Sequence, residues 1–247
     1  MLKTPRFVVL LALVAGGGAL AQPIRVAPAN PHYYFYQGKP VLLITSAEHY
    51  GAVINEDFKY KDNKPIELNE TGYFPLWYKG DRVADSRVEG WEFIVGGRAA
   101  FNHLNGLFTV ENPAGKSAEN ERVLRALESL QWFMEGFDFV RMAPDKDFLV
   151  SGVSAPQYHR ALNEQGKQYA LYIHHSSEKP GAAYTVVPGQ YREELVVRLP
   201  PGRYRAEWIE PETGATLGSE ELAHEGGNRT LKTPAYKVDI ALRIKRV

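Results

Sequence analysis

Near Ala155 the periodicity of this chain changes, and that break limits the folds open to it. Upstream, Val123, Leu127, Leu130 and Met134 recur at the spacing of one buried helical face. Also upstream, Val41-Leu42-Leu43-Ile44-Thr45 is an apolar run without alternation. Such a run suits a strand covered on both faces, as in a parallel sheet flanked by helices. Downstream, short strand-like segments cover residues 168–173, 195–199, 204–209, 231–233 and 238–244. Turn signals separate them at Pro200-Pro201-Gly202, Pro211-Glu212-Thr213-Gly214 and Gly226-Gly227-Asn228, the texture of an antiparallel β-sandwich. The expected fold class is therefore α/β followed by all-β, with a β-sandwich over residues 155–247.

The N-terminus carries a compartment signal. Lys3 and Arg6 precede an apolar stretch from Phe7 to Leu20 that Gly16, Gly17 and Gly18 interrupt. Ala19-Leu20-Ala21 fits a small-x-small cleavage site. Residues 1–21 read as a secretory signal peptide cut before Gln22, so a secreted or periplasmic protein without a stable membrane anchor is expected. A retained anchor is the competing reading, but the apolar run falls short of a spanning helix. Lys+Arg and Asp+Glu number 29 each, which gives no basic field for nucleic acid. The absence of cysteine removes disulfides and thiolate metal sites.

Between residues 22 and 154 the elements are fewer. Gln37-Gly38-Lys39-Pro40 signals a turn before the apolar run. Pro65 to Glu70 reads as a second strand, with Ile66, Leu68 and Glu70 on one side by the period of two and Glu67 on the other, toward a helical layer. Ser86-Arg87-Val88-Glu89 has capping-box spacing and predicts a helix from Ser86 to Gly96. Ala99 to Leu104 suits a short strand. The clearest helix spans Ala118 to Glu135, with Ser117 as its cap and Gly136 at its exit.

Several pieces, in order, resemble one family: secreted bacterial cellulase-like proteins with a glycoside hydrolase-like (β/α)₈ barrel and an appended β domain named for collagen binding. Asn30-Pro31-His32-Tyr33 through Glu48-His49-Tyr50-Gly51 resembles the start of the barrel and its first strand. Lys64-Pro65-Ile66-Glu67-Leu68-Asn69-Glu70-Thr71-Gly72 resembles the seventh strand, whose Asn-Glu-Thr-Gly end carries the nucleophilic glutamate. Trp91-Glu92-Phe93 through Phe101-Asn102-His103-Leu104 resembles the seventh helix and eighth strand, and Leu124 to Met142 the last helix. Leu199-Pro200-Pro201-Gly202-Arg203-Tyr204 and Trp208 to Gly214 resemble the sandwich. A full barrel takes about 250 residues. Here strands two to six have no counterpart, so the resemblance implies an incomplete barrel over residues 22–154.

The resemblance implies retaining hydrolysis of a polysaccharide or glycoside, with Glu70 as nucleophile and Asn69 beside it. The acid/base carboxylate that such chemistry needs belongs to the missing stretch, which leaves enzymatic activity in question. Glu48 and His49 end the first strand and Asn102 and His103 the eighth; Glu48, His49 and Asn102 are candidate contacts to sugar hydroxyls. Local turn or loop roles compete for all of them. Trp77 and Tyr78 are candidate stacking groups, whereas the helical stripe assigns Trp91 to the core. In the sandwich, Tyr184, Tyr191 and Tyr204 are candidate platforms for a carbohydrate or matrix ligand, against a plain packing role. His174 and His175 are adjacent on a strand and point to opposite faces. No metal site and no cofactor is expected. Three strands cannot close a barrel, so an exposed apolar patch is expected beside the first strand. The sequence leaves three readings open: a truncated glycoside hydrolase-like protein, a carbohydrate- or matrix-binding module, and a structural envelope protein.

Overall fold

The computed structural model describes residues 23–47, 64–72, 78, 80–104, 110, 112–179 and 182–247. Its first elements form a small antiparallel sheet of β1 (Arg25–Val26), β2 (Tyr34–Tyr36) and β3 (Lys39–Val41). The β2–β3 turn holds Gln37 at φ 48° and Gly38 at φ 84°, the positive-φ pair that a tight hairpin requires.

Next come β4 (Leu43–Ala47), β5 (Glu67–Gly72), α1 (Arg82–Val95), β6 (Ala100–Leu104) and α2 (Ala118–Glu135). The three strands make a parallel sheet in the order β4-β6-β5, so the last strand in sequence lies in the middle. The helix α1 starts earlier than Ser86. Asp81 caps it, its carboxylate accepting from the Val83 and Ala84 amides at 3.1 Å each. Ser86 instead lies inside the helix and donates back to the Val83 carbonyl at 3.1 Å. The capping-box spacing at Ser86 falls inside the helix because an equally good cap, Asp81, stands one turn upstream. The α2 cap is Ser117, which accepts from the Asn120 amide at 3.0 Å.

The remaining strands are antiparallel: β7 (Ala143–Pro144), β8 (Leu149–Ser151), β9 (Tyr158–Glu164), β10 (Gln168–His174), β11 (Ser176–Lys179), β12 (Ala182–Val186), β13 (Glu194–Leu199), β14 (Gly202–Ile209), β15 (Thr216–His224), β16 (Gly227–Lys232) and β17 (Asp239–Arg246). They form a six-stranded sheet, β15-β14-β17-β10-β9-β7, a three-stranded sheet, β16-β13-β8, and the β11–β12 pair. Because β7 and β8 belong to these sheets, the antiparallel half begins upstream of residue 155.

The six-stranded sheet is covered on both faces. On one, Tyr169, Leu171, Ile173, Tyr204 and Trp208 meet Leu195, Val197 and Leu199 of the small sheet. On the other, Leu162, Ala170, Tyr172, Ile209 and Ala241 share a core with Trp91, Ile94, Leu130, Phe133 and Met134 of the helices and Phe101 of β6. That double burial explains why every residue of β10 is buried. Trp91 takes the core position expected of it, stacked on Tyr172 with ring centroids 5.2 Å apart.

A second, polar set of bonds joins α1 to the β half. Asp85 accepts from the Val186 amide at 2.7 Å. Arg87 donates to both oxygens of Asp239, at 2.9 and 2.8 Å, and to Glu212 at 2.9 Å. Glu92 lies 3.0 Å from His174 and pairs with Arg160. No helix among the described residues is long and apolar enough to cross a membrane. The apolar residues described on the flanking parallel strands, Leu43, Ile44 and Leu68, are half-buried rather than exposed.

Candidate functional site

The chemistry of a parallel α/β sheet collects at the C-terminal ends of its strands. Here those ends are Ala47 of β4, Gly72 of β5 and Leu104 of β6. Strands β4 and β6 run in simple register, with Leu43 opposite Ala100 and Thr45 opposite Asn102. Strands β5 and β6 do not. Leu68 pairs with Phe101 and Thr71 with His103, so Asn69 and Glu70 together oppose Asn102. This is a one-residue bulge, a device that re-aims a strand near its functional end.

The packing of β5 ahead of the bulge corrects the sidedness read from the sequence. Leu68, in register with Phe101, packs on the helix side with the α1 core. Glu67 pairs with Ala100 instead and accepts a hydrogen bond from Tyr34 of the β2 strand. Glu67 therefore lies away from the helical layer, not toward it, near the N-terminal end of its strand. Burial raises its pKa, in keeping with a carboxyl enclosed by the hairpin. A strict period of two from Ile66 to Glu70 fails because the extra residue falls between Leu68 and Thr71.

Asn102 is 6% exposed, and its Oδ1 accepts from the Thr45 hydroxyl at 2.8 Å. The side chain thus bridges the central strand to β4 at the level of the bulge. His103 is 1% exposed, and burial, aided by the nearby Arg82 charge, lowers its pKa to about 4. At neutral pH it is an uncharged imidazole. The backbones of Asn69 and Glu70 are placed in β5, while their side chains lie outside the described residues, as do Glu48, His49 and Trp77. The structure thus brings Asn102 and the Asn69-Glu70 bulge together on adjacent strands. Tyr78 donates to Asp85 of α1.

The β-half candidates divide. Tyr204 is fully buried, its hydroxyl donating to the Pro200 carbonyl at 3.0 Å. Tyr191 stacks on His175 with centroids 3.4 Å apart and donates to the Val187 carbonyl at 2.8 Å. Tyr204 is a packing residue, and Tyr191 is half-buried against His175 and Tyr236. Tyr184 is half-buried and faces a cleft. His174 and His175 take different partners. The first lies between Glu92 at 3.0 Å and Ser176 at 2.9 Å, the second between Tyr236 at 2.9 Å and the Pro156 carbonyl at 3.0 Å. Among the described residues no group of three or more His, Cys, Asp or Glu is placed to hold a metal ion.

Sequence reasoning missed the buried polar contacts of α1. Glu92 appeared only as a polar interruption in an apolar stripe. Burial by itself would raise its pKa, but hydrogen bonds from His174 and Tyr184 and the Arg160 charge overcome that and lower it. The signal was present in principle, since a carboxylate on a buried stripe requires partners. Those partners sit on β9, β10 and β12, beyond the reach of local patterning.

No protein-family model matches the chain, and no curated protein matches it. Solved structures do. One described as a glycoside hydrolase superposes with a TM-score of 0.52 at 14% identity, over 87% of this chain and 52% of that one. A glycoside hydrolase family 5 structure from Bacteroides vulgatus gives 0.53 at 12% identity, over 75% of this chain and 42% of that one. The chain spans about half the length of the solved structures it matches. It has a glycoside hydrolase-like fold, mostly sheet, with two α-helices among the described residues.

Proposed function

We propose that this chain is a secreted, partial relative of retaining glycoside hydrolases that keeps strands one, seven and eight of a (β/α)₈ barrel and an appended β-sandwich. The observation that carries this reading is the strand order β4-β6-β5. In a closed barrel the first strand lies beside the eighth, and the eighth beside the seventh. Assigning β4, β5 and β6 as strands one, seven and eight accounts for a central strand that comes last in sequence. The bulge at Asn69-Glu70 supports Glu70 as the residue at the ancestral nucleophile position.

Hydrolysis with retention needs a second carboxyl group to protonate the leaving oxygen and then activate water. By the family resemblance that group belongs between strands one and seven, where this chain has only residues 48–66. The whole-barrel activity is therefore lost. Assays with p-nitrophenyl glycosides and soluble polysaccharides are expected to give rates equal to the blank. A rate that disappears in Glu70→Gln would overturn this. Sequencing the locus across the codons for Tyr60 to Lys64 is the companion test: an uninterrupted junction is expected, and an in-frame insert of about 130 codons or more would restore the enzyme reading. Export is tested by mass spectrometry of the exported protein, with a mature N-terminus expected at Gln22.

The second reading is a non-catalytic carbohydrate-binding role. It is favoured by the position of Tyr184, which is half-buried and lines a cleft, whereas Tyr204 is fully buried.

A further inference from the structure

A cleft of about 750 Å³ is lined by residues of α1, β9 and β12. Its size is that of a small-molecule site. Leu68 of β5 and Phe93 of α1 form part of its wall. Because Leu68 is on the helix side of the parallel sheet, the cleft opens away from the face of Thr45 and Asn102.

Three features define what the cleft would take. The first is charge. Three carboxylates, Glu89, Glu92 and Asp145, face three cations, Arg98, Lys146 and Arg160. His159, also in the lining, has its pKa lowered by burial and by Arg160, so it adds no charge at neutral pH. The charges of the wall balance, which favours neither an anion nor a cation, and its open surface is shared between polar and apolar atoms. An apolar ligand would strip water from these groups without replacing their hydrogen bonds.

The second feature is rigidity. Glu92 is fixed by His174 at 3.0 Å, by Arg160 and by Tyr184, and His174 is fixed in turn by Ser176 at 2.9 Å. Asp145 accepts from Asn163 at 2.6 Å and Gln165 at 3.1 Å. Polar groups held this way lose little entropy on binding a ligand. The third feature is aromatic surface. Tyr158 and Tyr184 are half-buried in the lining; their rings lie 4.7 Å apart and both pack on His174, at 5.2 and 4.8 Å, so the ring surface left open to the cleft is held in place beside the polar groups.

We propose that this cleft binds a neutral oligosaccharide. Planar carboxylate, guanidinium and amide groups bridge vicinal hydroxyls in pairs, and tyrosine faces cover the C–H side of a sugar ring. The proposal deepens the carbohydrate-binding reading above. It places the ligand on the outer side of α1 and makes no use of Glu70.

The test is calorimetric titration of the full mature chain with cellohexaose, xylohexaose and mannohexaose, with trigalacturonate as the charged control. At least one neutral hexaose is expected to bind with a Kd below about 1 mM. Tyr184→Ala and Gln157→Ala are each expected to weaken it about fivefold or more, the scale of one lost hydrogen bond. Gln157 is half-buried and its side chain meets His159 at 3.2 Å, outside the two main cores, so its variant keeps the fold even where Tyr184→Ala does not, and near-UV circular dichroism checks both. Glu70→Gln is expected to leave the affinity unchanged. The proposal is overturned if no neutral hexaose binds, if only trigalacturonate binds, or if both cleft variants bind normally. Binding weakened by Glu70→Gln but not by the cleft variants would move the ligand to the strand ends, failing this site while sparing the carbohydrate reading.

Discussion

Asp239 opens β17 and is buried. Its two oxygens take the Arg87 guanidinium, and Tyr172 donates to it at 2.8 Å. Removing one member of such a pair strands a buried charge, so Asp239→Asn is expected to cost about 3–5 kcal/mol. Arg122 bonds Glu212 at 2.7 Å, yet its side chain is 47% exposed, and Arg122→Ala is expected to cost less than about 1 kcal/mol. Urea unfolding of the two variants measures the contrast, and equal losses would remove the case for a buried lock. A local reading of residues 238–244 gives only a strand, because the partner of Asp239 lies 152 residues away. His103 belongs to the same scale. Its folded pKa of about 4 lies below the ordinary 6.5, so between those values the unfolded chain binds the proton and the folded chain does not. Stability is then expected to fall as pH drops from about 6.5 toward 4. His159 and His175, also lowered by burial, add to the slope. His103→Gln should flatten the dependence of the unfolding midpoint on pH in that range; an unchanged slope would show that His103 titrates normally.

At the scale of elements, regular periodicity was legible and interruptions were not. The helix α2 spans the residues its 3.6-residue pattern predicts, between Ser117 and Gly136. The bulge in β5 was invisible, since nothing in Leu68-Asn69-Glu70-Thr71 announces an extra residue until β6 sets the register. The strands β9 and β15 were missed for another reason. YHRALNE sets Arg160 and Glu164 on the same side as Leu162, TLGSEELAH carries Glu220 and Glu221 on opposite sides, and β15 is an edge strand with mostly open residues. The seating of α1 on β6 rests on one glycine. A β-carbon on Gly90 would stand 3.0 Å from the Phe101 ring, and that ring is fully buried. Helix propensity alone favours Gly90→Ala by about 1 kcal/mol. The close approach opposes it, and because Phe101 has no room to retreat, overpacking of about 1–3 kcal/mol should dominate. Thermal unfolding is expected to show Gly90→Ala less stable than the parent; a raised midpoint would mean that α1 sits more loosely on the sheet.

For the whole molecule, the passage from the parallel sheet to the antiparallel sheets that begin at β7 is a change of architecture without a seam. The core of the helices continues across the six-stranded sheet through Leu162, Ala170, Tyr172, Ile209 and Ala241, and the far face of that sheet holds the second core. Neither half has a water-tolerant surface where they meet: the apolar side would be bared, and Arg87, Asp239 and Glu92 would lose their partners. A local boundary criterion cannot detect this, because turn chemistry reports where strands end and not what covers their faces. The two halves should therefore unfold together. Trp91 and Trp132 report on the helices and Trp208 on the β half, while far-ultraviolet circular dichroism sums the helices and the sheets. The two signals are expected to trace one urea transition. Leu130→Ala in the helical core and Leu195→Ala between the sheets should each lower its midpoint, by about 2–5 kcal/mol of stability, with the signals still coincident. If Leu130→Ala moved only the tryptophan signal, the shared core would not couple the halves, and the β half would stand as an independent domain.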